Sequence, residues 1–150
     1  MKMNRVTYYS LYIDGDELCE VEKFVTRFNK PDYATDYDNI MAAIREMGMT
    51  RGADARYFPR ERFPEALSPP YASGELRLYC SRITKEIVIL GNGCMKTSLK
   101  AQYMEECLFH FELIRAVSEQ ITARITAGAL KISNRRLEGD LAFKIGDCYE

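Results

Sequence analysis

The chain has 150 residues, 47% hydrophobic and 29% charged, with a net charge of −1. That length and balance are expected of one globular domain that needs no metal or disulfide staple. Met1 to Ser10 lacks the apolar core of a secretion signal and no apolar run approaches the roughly 18 residues of a membrane span, so a soluble, cytoplasmic protein without membrane contact is expected.

Arg5 to Ile13 is rich in aromatic and β-branched residues and predicts a first strand, with Asp14-Gly15-Asp16 as a turn and helix cap. From Asp16 to about Asn29, Leu18, Val21, Phe24, Val25 and Phe28 recur at helical spacing, until Lys30-Pro31 ends the helix. Thr35 and Asp38 have the spacing of a capping box for a second helix. Its apolar stripe is Tyr37, Ile40, Met41, Ile44 and Met47, and Gly48 is expected at the left-handed closing position. The two helices predict a hairpin.

Ala55 to Phe58 reads as a short strand, and the prolines at 59, 64, 69 and 70 make Phe63 to Ser73 an exposed loop. Two clear strands follow, Glu75 to Ile83 and Glu86 to Leu90, joined by a tight turn at Thr84-Lys85. In the first, Leu76, Leu78 and Cys80 face one side while Arg77, Tyr79 and Ser81 face the other. The second has no polar face, so it is expected to be central and buried on both sides. Gly91-Asn92-Gly93 is expected to break it, and Thr97 or Ser98 to cap a helix from Leu99 to Ala127. Along that helix Tyr103, Cys107, Phe111, Ile114, Ile121 and Ile125 keep helical spacing, and Gly128 stops it. Leu130 to Phe143 reads as a small hairpin or strand. The expected fold class is α+β: a small, mostly antiparallel sheet packed by an N-terminal helical hairpin and a long C-terminal helix. One domain covers residues 1–150, with a C-terminal extension over about 128–150.

Most enzyme signatures are missing, including GxGxxG, the P-loop, HExxH and GxSxG. Five cysteines without a CxxC pair, beside a single histidine, offer no zinc-ligand spacing and read as reduced thiols packed as small hydrophobes. His110 lies between two phenylalanines in mid-helix without an evident Ser, Cys or Asp partner, and reads as structural. Charge is uneven along the chain: residues 51–100 carry 9 basic and 5 acidic side chains, whereas the flanking thirds are net acidic. That middle third alone has a field suited to phosphates. Within it, Arg77 and Tyr79 share one face of a strand. Lys96 and Lys100 flank the start of the long helix, and Arg56, Arg60 and Arg62 come from the preceding segment. Each cation taken singly reads as a solvated surface charge.

The run Gly74 to Gln102 (GELRLYCSRITKEIVILGNGCMKTSLKAQ) resembles the end of RelE/HigB-like toxins of bacterial type II toxin–antitoxin systems, as a longer branch. Glu75 to Tyr79 is similar to the family's arginine strand, Ile87 to Leu90 to its hydrophobic strand, and Met95-Lys96-Thr97 to its lysine turn. Residues 5–48 fit its opening strand and helical hairpin as a pattern. The resemblance implies a RelE/ParE-like fold and an endoribonuclease that cleaves messenger RNA on the ribosome without a metal or other cofactor. Its partner would be a small, helical, DNA-binding antitoxin. Arg77, Lys96, Lys100 and Tyr79 would form the catalytic group, and Arg56, Arg60, Arg62 and Tyr103 would bind RNA. The chemistry is coherent, because RNA carries its own nucleophile and the protein need only align it and neutralise the phosphate. Two other readings stand beside it: a non-catalytic relative that binds a protein partner, as an inactive toxin or a phage-derived accessory protein, and an unrelated small enzyme using a cysteine or His110.

Overall fold

The computed structural model describes residues 1–54, 57, 65–67, 75–96 and 101–145, with side chains left out of the description for 65–67 and 101–104. In chain order the elements are β1 (Thr7–Ser10), α1 (Glu20–Phe28), a 3-10 turn (Pro31–Tyr33), α2 (Ala34–Glu46) closed by a wide turn (Met47–Arg51), and β2 (Glu65–Leu67). There follow β3 (Leu76–Thr84), β4 (Ile87–Met95), α3 (Ala101–Thr126), β5 (Leu130–Ser133) and β6 (Arg136–Gly139). The chain is α+β, with a four-stranded mixed sheet in the order β1-β4-β3-β2 and a separate β5-β6 hairpin. β1 runs parallel to β4, and β4-β3 and β3-β2 are antiparallel.

Alternation along β3 and β4 divides the interior into two layers. Leu76, Leu78, Val88 and Leu90 turn toward α1 and α2, where Phe24, Phe28, Tyr37, Ile40 and Ile44 meet them. Ile87, Ile89 and Tyr79 turn the other way, toward Ile114, Val117 and Ile121 of α3 and toward Leu130 and Leu137 of the hairpin. The segment Ile87 to Leu90 is buried on both faces, as its lack of a polar side demands.

Several boundaries differ from the sequence expectation for identifiable reasons. α1 starts at Glu20 rather than near Asp16. The Ser10 hydroxyl accepts from the Val21 amide and donates to the Leu90 carbonyl, and the Glu22 carboxylate accepts from the Cys19 amide, so the cap comes from β1 and the first turn. Asp16 pairs with Lys23 instead. No side chain caps α2, and Pro31 starts the 3-10 turn that leads into it. The left-handed residue after α2 is Gly52 (φ +75°), not Gly48, which lies inside the wide turn packed against Met3. Within the segment read as a loop, residues 65–67 lie between the prolines and pair with Leu78 to Cys80. The β3–β4 turn is Lys85-Glu86, one residue later than expected, after a bulge near Ile83. Ala55 to Phe58 falls mostly outside the described residues.

The C-terminal end of α3 follows the sequence closely. Gly128 adopts φ +80°, and the Gly128 and Ala129 amides turn back onto the Ile125 and Arg124 carbonyls. Asn134 and Arg135, both at positive φ, then form the hairpin turn. Arg135 donates to the Met3 and Asn4 carbonyls, and the Leu137 amide donates to the Tyr9 hydroxyl, which fixes the hairpin beside β1. Among the described residues, no helix is long and apolar enough to cross a membrane.

Candidate functional site

The first residues of β3 meet the last of β4. Leu76 pairs with Met95, Arg77 with Cys94, and the Lys96 amide donates to the Glu75 carbonyl at 2.9 Å. Met95 packs into the α1/α2 layer and Cys94 into the α3 layer. Lys96 is the first residue past the end of β4, and Arg77, paired with Cys94, lies on the α3 side. Arg77 is half-buried, with Nη1 donating to the Leu76 carbonyl at 3.2 Å, whereas Lys96 is exposed. Two cations thus belong to adjoining strand ends.

This pairing depends on the glycines. Gly91-Asn92-Gly93 does not break the strand, and β4 continues through it to Met95. Leu78 faces Gly93 while Cys80 faces Leu90, so β4 carries one extra residue there, a bulge. A Cβ on Gly93 would overlap the Arg77 carbonyl and the Phe24 ring, and one on Gly91 would press on the Tyr79 carbonyl. Glycine is needed here for close approach of backbone and rings, not for a turn.

Tyr79 lies on the same side as Arg77 but is only 3% exposed. Its ring meets Phe111 edge to face, with centroids 5.9 Å apart, and its hydroxyl is 3.8 Å from the Cys94 sulfur. A base cannot stack on it in this arrangement. Tyr79 packs in the layer between the sheet and α3. Of the remaining sequence candidates, Arg56, Arg60, Arg62 and Lys100 lie outside the described residues, as does the side chain of Tyr103.

One feature of this corner was not legible in the cysteine spacing. Cys94 and Cys107 form a disulfide, with Cα atoms 5.4 Å apart, joining the end of β4 to the second turn of α3. The expectation of reduced thiols throughout is therefore corrected, and among the described residues Cys19 and Cys80 are buried and outside any disulfide. The signal was present in parts, since Cys107 lay on an apolar helical face and Cys94 beside glycines. Pairing them required knowing that the strand runs on past Gly93.

A second polar cluster joins α1 to α3. Arg27 pairs with Glu106, and His110 Nε2 lies 3.6 Å from the same carboxylate. Burial pushes the His110 imidazole down to about 4, and the Arg27 and Lys23 charges add to this. His110 Nδ1 is buried with no hydrogen-bond partner among the described residues. The ring is held neutral beside the Arg27–Glu106 pair. Among the described residues, no three His, Cys, Asp or Glu side chains converge to hold a metal ion. A cavity of about 600 Å³ lies elsewhere, between β1, α3 and residues 141–145, lined by Leu11, Ile89, Leu113, Val117 and Phe143 among others.

No protein-family model, curated protein or solved structure matches the chain.

Proposed function

We propose that the chain is a RelE/HigB-like toxin, an endoribonuclease that cuts messenger RNA in the cytoplasm and is held in check by a small helical antitoxin. The observation that supports this reading is the backbone pairing that brings Arg77 and Lys96 to the joined ends of β3 and β4. It is joined by the resemblance of residues 74–102 to the toxin family and by the basic balance of the middle third.

The chemistry asks little of the protein. The 2′-hydroxyl of RNA attacks the adjacent phosphorus and the 5′-oxygen leaves, giving a cyclic phosphate and a 5′-hydroxyl. Arg77 clamps the phosphate through its planar fork of donors and stabilises the charge that builds on its oxygens. Lys96 adds positive charge beside the leaving oxygen, and Lys100 is the second candidate for that role. Arg56, Arg60, Arg62 and Tyr103 belong to RNA binding in this reading, Tyr103 by stacking. Tyr79 has only the supporting role that its burial allows.

The test is induction in a bacterial host. Wild-type protein arrests growth and shortens messages, and co-expression of its antitoxin relieves both. Arg77→Ala, at equal soluble yield, does neither. Unchanged growth and message length under strong induction of wild-type protein would remove the nuclease reading.

A further inference from the structure

Among the described residues, none that lines the cavity of about 600 Å³ between β1, α3 and residues 141–145 belongs to the strand ends at Arg77 and Lys96. Well-packed interiors leave few voids larger than a water molecule, so a space of this size needs a reason. Ile89 of the sheet and Leu113, Val117 and Ile121 of α3 line it and are buried. The lining also includes Tyr12, Phe109 and Leu141, three large hydrophobic side chains that are exposed. An apolar recess bordered by exposed apolar side chains marks a place where something binds. Its volume falls within the range of about 300–1,000 Å³ found for small-molecule pockets.

The polar groups decide the kind of ligand. The Ser10 hydroxyl is fully used, since it accepts from the Val21 amide and donates to the Leu90 carbonyl. The Tyr9 hydroxyl accepts from the Leu137 amide at 2.9 Å and, among the described residues, donates to none. A phenol has one proton to donate, so Tyr9 keeps a donor in the cavity wall. Asp14 is the one charged side chain among the described lining residues, and it is exposed. No cation among those residues would meet a ligand carboxylate, and an unpaired charge is disfavoured against aliphatic side chains. We propose that this cavity binds a neutral, largely apolar small molecule of the aryl or alkyl ketone kind, whose oxygen accepts a hydrogen bond from Tyr9. The proposal does not rest on the nuclease reading.

The experiment titrates full-length protein with N-phenyl-1-naphthylamine, a neutral dye that brightens in apolar surroundings. Saturable brightening at one dye per chain is expected, and folded wild-type protein that leaves the dye dim overturns the proposal. Ala142→Trp fills the cavity from an exposed lining position, where the fold is not at stake, and should weaken dye binding about ten-fold or more. Unchanged binding places the dye elsewhere and overturns the assignment. Butyrophenone and butylbenzene differ by a carbonyl in place of a methylene, and both should displace the dye. Tyr9→Phe should weaken the ketone about five-fold more than the hydrocarbon, the size of one hydrogen bond. Equal weakening overturns the role of Tyr9 as donor. The anion 4-phenylbutyrate should displace the dye about ten-fold more weakly than the ketone, and equal displacement overturns the neutral class. Sedimentation should show the same species with and without dye. A dimer that parts as the dye binds gives the cavity to a second copy of the chain and overturns the proposal.

Discussion

Gly93 lies so close to the carbonyl of Arg77 that no side chain fits between them, and the register of the β3–β4 pair at the cationic corner depends on that gap. Because the obstacle is backbone, a substitution cannot be absorbed by rotating a side chain. Gly93→Ala should destabilise the fold by about 2–4 kcal/mol, as expected for overpacking in a tight core. A urea titration followed by circular dichroism measures this, and an unchanged midpoint would show that the strand accommodates a methyl group.

Ser81 of β3 and Ser118 of α3 share a buried hydrogen bond of 2.6 Å across the second core layer. Removing one hydroxyl strands the other away from water, at a cost of about 1–3 kcal/mol, whereas removing both strands nothing. Ser81→Ala and Ser118→Ala should each lower stability, and the double variant should lose less than the sum of the two. Additive losses in the double-mutant cycle would mean that the two hydroxyls do not depend on each other.

His110 supplies a pH dependence whose sign follows from its depressed titration. The unfolded chain takes up a proton near the ordinary value of 6.5, while the folded protein resists until about 4, chiefly because the ring is buried. The unfolded state therefore binds more protons between those values. This contribution to stability is fully present above about pH 6.5 and falls away as the pH drops toward 4, by about 3 kcal/mol. His110→Gln should flatten the decline across that window in thermal melts at stepped pH. A variant that declines as steeply as wild type would assign the effect to other groups.

Lys96 is exposed and Arg77 half-buried, so their substitutions should differ in kind. Arg77→Lys keeps the charge but loses the planar fork, and should still reduce message cleavage about 100-fold or more. Lys96→Arg keeps a charge at an exposed position and should cost about 10-fold or less. Cleavage rates in cell extracts, taken at equal soluble protein, separate the two. Equal losses would place the residues in one interchangeable role.

Much of the architecture could be read from periodicity. The apolar stripe of α3 up to Gly128, the buried run Ile87 to Leu90 and the alternation of β3 each follow from spacing, because each element buries one face or both. Caps and glycines were harder, since their reasons lie far away in the chain. Ser10 caps a helix that begins ten residues later, and Gly93 answers to a carbonyl on the neighbouring strand. Local turn chemistry points to Asp16 and to a break after Leu90, and tertiary contacts override both. At the candidate site, the neighbourhood of Arg77 and Lys96 was legible because two adjacent antiparallel strands impose it. The burial of Tyr79 and the cystine beneath it were not, because both depend on where α3 lies over the sheet.

The central claim is that Arg77 helps RNA break its own backbone, and the chemistry of the cut ends tests it most directly. RNA from cells expressing wild-type protein or Arg77→Ala can be mapped for 5′-hydroxyl and cyclic-phosphate termini. The account predicts abundant new termini of both kinds within messages for wild type, and roughly 100-fold fewer for the variant. Absence of new termini with wild-type protein, or equal abundance with Arg77→Ala, would contradict it.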